Sequence, residues 1–272
     1  MKESKGITKF TIMTVFTFAV ILLPYAWMII TSFRTKVDIR VNPGNILPEE
    51  WVLNGYIRVL TESPFFNWLR NSVIVTVLVV AAVLFTSSLT GFVFAKFKFR
   101  FKNTLFWLLL ATMMVPVQVT MIPSFIIINA IGLYDSLAAL IIPTMVSAFG
   151  IFLCRQFCED IPDSLCEAAL VDGVGPLSMY VMIMIPLLRP CLAALGIFTF
   201  LSTWNEYLMP LILIERVRNM TLPVALSFFS DQHATDMGTV MAAAALIMIP
   251  VTIVFLSFQK HFIKGIALTG GK

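Results

Sequence analysis

The chain has 272 residues, of which 59% are hydrophobic and only 12% are charged, and its mean hydropathy is +0.92. A soluble domain typically has about a quarter charged residues and fewer than half apolar ones. The composition therefore excludes a soluble enzyme, a nucleic-acid-binding domain and a disordered protein. The net charge of +4 comes from short basic clusters between apolar runs, which is typical of an integral membrane protein.

Six apolar stretches are long enough to cross a bilayer as helices, which takes about 20 residues each. They lie at 10–33, 69–95, 105–130, 137–157, 186–214 and 240–262. The runs are continuous rather than alternating, which excludes a transmembrane barrel. The first run is too long for the core of a signal peptide, so we interpret it as a retained span. The predicted fold is all-α: a polytopic membrane protein with six transmembrane helices.

The basic residues predict how these spans are oriented, because cytoplasmic loops are richer in Lys and Arg. Twelve of the 19 basic residues lie on the side that holds both termini, and the compact cluster Lys96–Lys102 joins the second and third spans. The other seven lie on the opposite side, mostly in one longer loop. We therefore expect residues 1–9 and 265–272 to be cytoplasmic, on either side of a transmembrane domain at 10–264.

The predicted cytoplasmic loop between the fourth and fifth spans, 159–185, is the most informative segment. Ser164 and Glu167 have the spacing of a capping box, which predicts that a short helix begins there. Gly173 is placed to end this helix in a left-handed conformation. Four residues at helical spacing are predicted to share one face: Leu165, Ala168, Ala169 and Asp172. From spacing alone, this helix is equally well interpreted as a docking surface or as a plain amphipathic connector lying on the membrane.

The same loop resembles the E-A-A-x3-G-x9-I-x-L-P loop of ABC importer permeases. The matching residues are Glu167-Ala168-Ala169, Gly173 and Ile183-Met184-Ile185-Pro186, with Ile185 where the family has Leu. Other segments resemble the maltose-type carbohydrate permeases, and in particular their shorter, six-span subunit of the maltose G type. These segments are Thr31–Arg34, Asn71-Ser72, Thr203–Tyr207 and the tail Phe262–Lys272.

This resemblance implies that the chain is a permease subunit of an ATP-driven carbohydrate importer in the bacterial inner membrane, where it forms half of the translocation pathway. In that family the loop is a coupling helix that docks on the ATPase. The residues that would couple this chain to the ATPase are Glu167, Ala168, Ala169 and Gly173. The tail in that type also contacts the ATPase, so Gly270–Lys272 would be a secondary contact.

The resemblance also implies the partners. They are a second permease subunit, two ATP-binding subunits, an extracellular solute-binding protein, the sugar substrate and the lipid bilayer. We expect the outer loop Glu215–Gly238 to contact the binding protein.

Glu206 is an acidic residue well inside an apolar span, beside Asn205 and two aromatic residues. A charge within a bilayer is costly, so it normally faces a cavity, a partner or a polar pathway. We expect Asn205 and Glu206 to line the pathway or a subunit interface, although Glu206 could instead reach the headgroups. Gln118 and Thr120 lie between two prolines, and we interpret them as bonding the carbonyls that the prolines free rather than as lining the pathway.

The sequence has no catalytic signature. It lacks the G-x-x-x-x-G-K-[ST] loop, H-E-x-x-H and G-x-S-x-G, so we expect no catalytic residue and ATP hydrolysis in a separate subunit. Two distant histidines and four cysteines without a C-x-x-C pair predict no metal site, and we expect no cofactor. A stand-alone secondary transporter or channel is the alternative, but the chain has no internal repeat and no intramembrane acid–base pair. An intramembrane enzyme would need a nucleophile and base that we do not find.

Overall fold

The computed structural model describes residues 2–232 and 236–269, and within these ranges every regular element is a helix. The all-α fold predicted from the sequence is confirmed. The described residues form two compact units. Unit 1 contains the described residues up to Phe66 and those from Val224 to Pro250, and unit 2 contains Asn67–Pro223 and the described residues from Val251 onwards.

The helices are numbered in chain order. They are α1 (Lys2–Ser32), α2 (Lys36–Val41), α3 (Asn54–Thr61), α4 (Phe65–Lys96), α5 (Lys102–Thr112), α6 (Val117–Ala130), α7 (Leu137–Ile141), α8 (Ala148–Glu159), α9 (Asp163–Val171), α10 (Pro176–Met179), α11 (Ile185–Leu187), α12 (Arg189–Trp204), α13 (Leu208–Leu213), α14 (Leu222–Gln232) and α15 (Met237–Thr269). Short 3-10 turns occupy Ile142–Thr144 and Val217–Asn219, and a π-helical turn occupies Tyr180–Met184.

Candidate membrane spans occur where the sequence predicts them. Four helical segments are long and apolar enough to cross a membrane: Met13–Ser32, Phe65–Lys96, Leu137–Glu159 and Met237–Ser257. Two bent pairs also qualify when each pair is taken as one span: Lys102–Thr112 with Val117–Ala130, and Pro176–Leu187 with Arg189–Trp204. Counted in this way, the described residues contain six candidate spans. The orientation of the termini stays a prediction.

Two of the predicted spans are bent rather than straight. The pair within the predicted span 105–130 bends by 98° at Pro116, whose backbone is extended and whose ring excludes the helical conformation for the residue before it. The predicted span 186–214 also differs from the structure, because a bend of 77° precedes α12 and α12 ends at Trp204. The segment beyond Trp204 forms the separate helix α13.

Unit 1 is organised around a buried ion pair that follows α1. Arg34 and Asp38 are each 5% exposed, and the Arg34 Nε donates to Asp38 Oδ2 at 2.8 Å. The guanidinium also donates to the backbone carbonyls of Asn42 and Asn45, at 2.7 and 2.8 Å. Because the charged groups satisfy each other and nearby carbonyls, the chain can turn sharply after α1 without leaving a buried charge unpaired.

Unit 2 contains a core in which α4 and α8 pack very closely. A Cβ on Gly91 of α4 would lie 2.6 Å from the Cβ of Cys154 and 2.8 Å from the backbone nitrogen of Arg155. Gly150 of α8 lies in the same way against the side chain of Ser87. Small residues allow two membrane helices to approach at backbone distance. This packing fixes the position of α8, which leads directly into the loop 159–185.

Candidate functional site

The loop 159–185 contains the predicted short helix, which is α9. It begins at Asp163, one residue before Ser164. Pro162, which precedes it, has an extended backbone with φ −58° and ψ 134°, and it has no N–H with which to continue an earlier helical turn. No described side chain caps this first turn, so the predicted capping box of Ser164 and Glu167 is wrong. Asp163 instead places a negative charge in the first turn, where the helix dipole favours it.

Gly173 ends α9 as predicted, with a φ of +77°. The Gly173 N–H donates to the carbonyl of Leu170 at 3.1 Å, and the Val174 N–H donates to the carbonyl of Ala169 at 2.9 Å. These two bonds form a Schellman cap, which satisfies carbonyls that the end of a helix would leave free. Glycine adopts this left-handed conformation without the steric cost of a Cβ. The C-terminal end of α9 is therefore determined by its own residues.

The two faces of α9 have different environments. Cys166 and Ala169 are 9% and 5% exposed and belong to the core of unit 2, whereas Glu167 and Ala168 are exposed. The prediction that Ala168 and Ala169 share one face is therefore wrong, because Ala169 lies on the inner face, three residues from Cys166. Apolar side chains that share the exposed surface are Leu165, Leu170 and Val171.

Lys96, the last residue of α4, binds the start of α9. Its side chain is only 6% exposed, and its Nζ donates to the carbonyl of Ile161 and to Oδ1 of Asp163, each at 2.5 Å. The hydrogen bond from Lys96, with its positive charge, lowers the pKa of Asp163 below its ordinary value. One ammonium group thus joins the end of a membrane helix to the beginning of α9.

A second connection to α4 lies between α9 and α12. In the π-helical turn, the Ile185 N–H donates to the carbonyl of Tyr180 five residues earlier, immediately before Pro186, which has no N–H to donate. The Tyr180 hydroxyl lies 2.7 Å from the Ser88 hydroxyl on α4, and its ring stacks on Phe92 with centroids 5.9 Å apart. Such π turns are frequent at functional sites.

The break between α12 and α13 contains Asn205 and Glu206. Asn205 closes α12, because its N–H and its Nδ2 both donate to the carbonyl of Leu201, at 3.2 and 2.8 Å. Glu206 lies before the next helix, where its Oε1 accepts a hydrogen bond from the Met209 N–H at 3.2 Å. Both side chains are exposed. The chain therefore turns here with polar groups satisfied locally.

A cavity of about 350 Å³ lies in unit 2 beside this break, within the range of roughly 300–1,000 Å³ that is usual for ligand sites. Glu206 lines the cavity and Asn205 does not. The other polar residues that line it are Thr144, Ser147, Thr199, Ser202, Thr203 and Thr221. Thr221 is 5% exposed, and its buried Oγ1 has no hydrogen-bond partner among the described residues.

The segment 214–221, between α13 and α14, is held by Asp135, a residue that the sequence did not single out. Asp135 Oδ1 accepts hydrogen bonds from the backbone N–H groups of Glu215 and Arg216, at 3.1 and 3.0 Å. Its Oδ2 pairs with Arg216 Nε at 3.0 Å. Burial raises the pKa of Asp135, but hydrogen bonds from the Arg216 amide and from Asn219 outweigh this effect and bring the pKa below its ordinary value.

Two residues at the start of α4 hold the same segment from another direction. Trp68 Nε1 donates to the carbonyl of Val217 at 2.6 Å. Asn71 Nδ2 donates to the carbonyls of Arg218 and Met220, at 2.9 and 3.0 Å. Segment 214–221 therefore has a defined conformation, and the side chain of Arg216 stays 64% exposed upon it.

Gln118 and Thr120, predicted to bond carbonyls freed by prolines, lie on α6. Thr120 Oγ1 donates to the carbonyl of Val117 at 2.9 Å, which is not one of the carbonyls that Pro116 and Pro123 free, since those lie four residues before each proline. Neither Thr120 nor Gln118 lines the cavity. Among the described residues, no group of three or more His, Cys, Asp or Glu could hold a metal ion. The predicted contact Gly270–Lys272 lies outside the described residues, as does part of the loop Glu215–Gly238.

Comparison with known proteins gives the family. The family model described as "Binding-protein-dependent transport system inner membrane component" matches residues 87–268. The arabinooligosaccharides transport system permease protein AraQ of Halalkalibacterium halodurans is 30% identical over 254 residues, which cover 92% of this chain and 91% of that protein. The sn-glycerol-3-phosphate transport system permease protein UgpE of Escherichia coli is 31% identical over 262 residues and 93% of each chain.

A solved structure gives the same result. The crystal structure of a bacterial ABC transporter involved in the import of the acidic polysaccharide alginate matches with a TM-score of 0.83 and 25% identity, over 96% of this chain and 97% of that chain. The chain therefore belongs to the family of binding-protein-dependent transport system inner membrane components, the permease subunits of ABC importers.

Proposed function

We propose that this chain is one of two permease subunits of an ATP-driven importer for carbohydrates, and that a separate ATPase docks on α9. The observation that carries the proposal is the exposed surface of α9, where Glu167 and Ala168 stand among apolar side chains. Exposed apolar side chains beside polar ones mark a surface that contacts another protein or the membrane. The plain amphipathic connector is less consistent with a helix whose start is bound to α4 through Lys96.

The contacts of α9 support a near rigid-body transmission of ATPase closure. Its inner face is packed into the core through Cys166 and Ala169, and its start is bound to Lys96. A movement imposed on the exposed face would therefore reach α4 directly, and would reach it again through Tyr180 and Ser88. Packed helices of this kind move as bodies about a few bent positions, and the 77° bend before α12 is one such position.

The translocation pathway of this subunit would pass the cavity beside the α12–α13 break. Glu206 lines that cavity, which supports a pathway role for Glu206 over a contact with lipid headgroups. Asn205 is occupied with closing α12, so we assign it a structural role next to the pathway. The substrate class is proposed from the relatives, which are named for arabinooligosaccharides and for sn-glycerol-3-phosphate, and from the structure named for alginate import.

The two ends of the pathway would face different partners. With both termini in the cytoplasm, as the basic residues predict, α9 faces the ATPase and the segment 214–221 faces the outside. The loop Glu215–Gly238 would then meet the extracellular binding protein. Its first part is held in a defined conformation by Asp135 and Asn71, which suits a surface that receives a folded partner.

The test is co-purification of the tagged chain in mild detergent from cells that make the candidate partners. We expect the wild-type chain to bring down a second permease and a P-loop ATPase, identified by mass spectrometry. The Glu167→Lys chain should keep the permease and lose the ATPase. The matched control is Asp160→Lys, a charge reversal at an exposed residue just before α9.

Two results would contradict the proposal. If Glu167→Lys retains as much ATPase as the control, α9 is not the docking helix. If the wild-type chain comes down alone and transports solute after purification, the stand-alone transporter or channel is the correct interpretation.

A further inference from the structure

The cavity beside the α12–α13 break has an unusual combination of side chains. Glu206 is the single charged residue among the described residues that line it, and no Lys, Arg or His is among them. Hydroxyl groups make up the rest of its polar lining, and they come from three regions of the chain: Thr144 and Ser147 before α8, Thr199, Ser202 and Thr203 near the end of α12, and Thr221 beyond α13. The lining thus offers donors and acceptors together with one negative charge.

The backbone around Glu206 adds to this negative character. Glu206 follows the C-terminal end of α12, a helix of 16 residues, and the C-terminal end of a helix carries a partial negative charge. In the following helix α13, the Met209 N–H already donates to Glu206 Oε1, and Pro210 has no N–H to donate. An anionic ligand would therefore meet repulsion here and find no opposing cation.

Thr221 is a second, independent indication of a ligand. Thr221 lines the cavity, but its hydroxyl oxygen is buried and has no hydrogen-bond partner among the described residues. Buried hydroxyl groups are nearly always hydrogen-bonded, so an exception calls for an explanation. Rotation of the Thr221 side chain about its Cα–Cβ bond would bring this hydroxyl into the cavity, where a hydroxyl group of a ligand would supply the missing partner, since a hydroxyl can donate and accept.

We propose that this cavity is a substrate-contact site for a neutral, polyhydroxylated ligand, and that Glu206 makes it unfavourable for anionic ligands such as phosphate esters and uronates. The proposal rests on the proposed function, because it assigns the cavity to the translocated substrate. It distinguishes this chain from the relative named for sn-glycerol-3-phosphate and from the structure named for an acidic polysaccharide. Glu206 accepts hydrogen bonds from ligand hydroxyls through Oε2, and Thr221 bonds a further hydroxyl.

The charge of the cavity can be measured without knowing the substrate. The Ser202→Cys importer, assembled with its partners, is reacted with a cationic trimethylammonium-ethyl and an anionic sulfonato-ethyl methanethiosulfonate. The four native cysteines are buried, so the chain without this substitution gives the background. We expect the ratio of cationic to anionic rates to fall about tenfold when Glu206→Gln is added. Gln keeps an oxygen that can accept from Met209, and therefore changes the charge rather than the helix cap.

The control for this measurement is Glu215→Gln, which removes a carboxylate outside the cavity lining and should leave the ratio unchanged. The proposal is overturned if Glu206→Gln behaves like this control. It is also overturned if neither reagent reaches the thiol, because the cavity would then be closed to polar ligands.

Ligand protection of the same thiol tests the substrate class. Arabinotriose, a neutral probe, should slow the labelling of the Ser202→Cys importer, whereas sn-glycerol 3-phosphate should slow it only after Glu206→Gln. Thr221→Val should weaken protection by arabinotriose about tenfold, and Thr221→Ser, which keeps the hydroxyl, should restore it. If the two probes protect the thiol equally in the importer that keeps Glu206, the proposal that Glu206 disfavours anionic ligands is overturned. If neither probe protects the thiol while the importer still takes up solute, the cavity proposal fails and the proposed function stands. If there is no uptake and no partner co-purifies, the proposed function itself fails.

Discussion

The loop that carries α9 and the segment 214–221 differ in how much of their conformation depends on distant residues. Segment 214–221 is bound by side chains far away in the sequence, with Asp135, Trp68 and Asn71 each contributing hydrogen bonds to its backbone. By contrast, the two ends of α9 are determined by its own residues, from Pro162 to Gly173, and the distant Lys96 binds only its start. The first arrangement gives a segment whose backbone is held at several points. Under the function that we propose, the second gives a short helix that moves together with α4.

The largest expected effect tests whether distant side chains hold segment 214–221 in place. Asp135→Ala removes the acceptor of two backbone N–H groups and of Asn219, and should lower the free energy of unfolding by about 2–3 kcal/mol. Thermal unfolding can be followed with a thiol-reactive dye, because all four cysteines are buried. The control is Arg216→Ala, whose side chain is 64% exposed. Equal losses in the two variants would contradict the account.

The second effect concerns the bond between α4 and α9. Lys96→Met keeps the apolar length of the side chain but removes the donor to Ile161 and Asp163, and should cost about 1–2 kcal/mol. We expect ATP hydrolysis by the assembled importer to persist while uptake per ATP falls severalfold, because α9 would no longer move α4.

Asp163→Asn is the matched control for Lys96. Its side chain is 78% exposed, and the bond from Lys96 to the Ile161 carbonyl would remain, so the loss of uptake per ATP should be smaller. If Lys96→Met takes up as much solute per ATP as Asp163→Asn does, movement of α9 does not reach α4 through this contact.

A third effect, of similar size, tests whether the end of α9 is determined by its own residues. Gly173→Ala forces a Cβ into a left-handed conformation with φ +77°, at a cost of about 1–2 kcal/mol. Gly175→Ala is the control, because Gly175 has a φ of −67° and an added Cβ would meet nothing within 4 Å. Circular dichroism and ATPase co-purification should separate the two variants. Identical behaviour would mean that the cap does not determine where α9 ends.

The smallest effect is a dependence on pH. The pKa of Asp135 is lowered in the folded protein, so its stabilisation is present above the unfolded-state value of about 3.9 and is lost as the pH falls through the lower folded value. Between pH 7 and 5 the wild type and Asp135→Asn should keep a constant difference in unfolding temperature. Below about pH 4 the difference should shrink, and a constant difference down to pH 3 would contradict this assignment.

The sequence predicts the features of this protein that depend on local residues. Apolar length alone locates the candidate spans, and Gly173 locates the end of α9, because a left-handed helix end needs no distant partner. The predicted capping box of Ser164 and Glu167 fails because Pro162, two residues before Ser164, already has the extended backbone that precedes α9. The helical period also does not show which side of α9 faces the core. For this reason the sequence assigns Ala169 to the same face as Ala168, although Ala169 is buried.

The features that the sequence does not predict depend on long-range contacts. Asp135 and Glu215 are 80 residues apart, and Trp68 and Val217 are 149 apart, so no local pattern connects them. Glu206 is recognisable from its charge in an apolar run, but the cavity it shares with Thr221 depends on how α4, α7, α12 and α13 pack. An isolated threonine in the sequence carries no sign that its hydroxyl is left without a partner.

The most direct test of the central claim compares the partners of the two regions in one experiment. Benzoyl-phenylalanine replaces Ala168 on α9 or Arg216 on segment 214–221, both of which are exposed, in cells that make the whole importer. After irradiation, we predict that the probe at position 168 links this chain to a P-loop ATPase. The probe at position 216 should never do so and should link to the extracellular binding protein. An ATPase adduct from position 216, or its absence from position 168 in an assembled complex, would contradict the account.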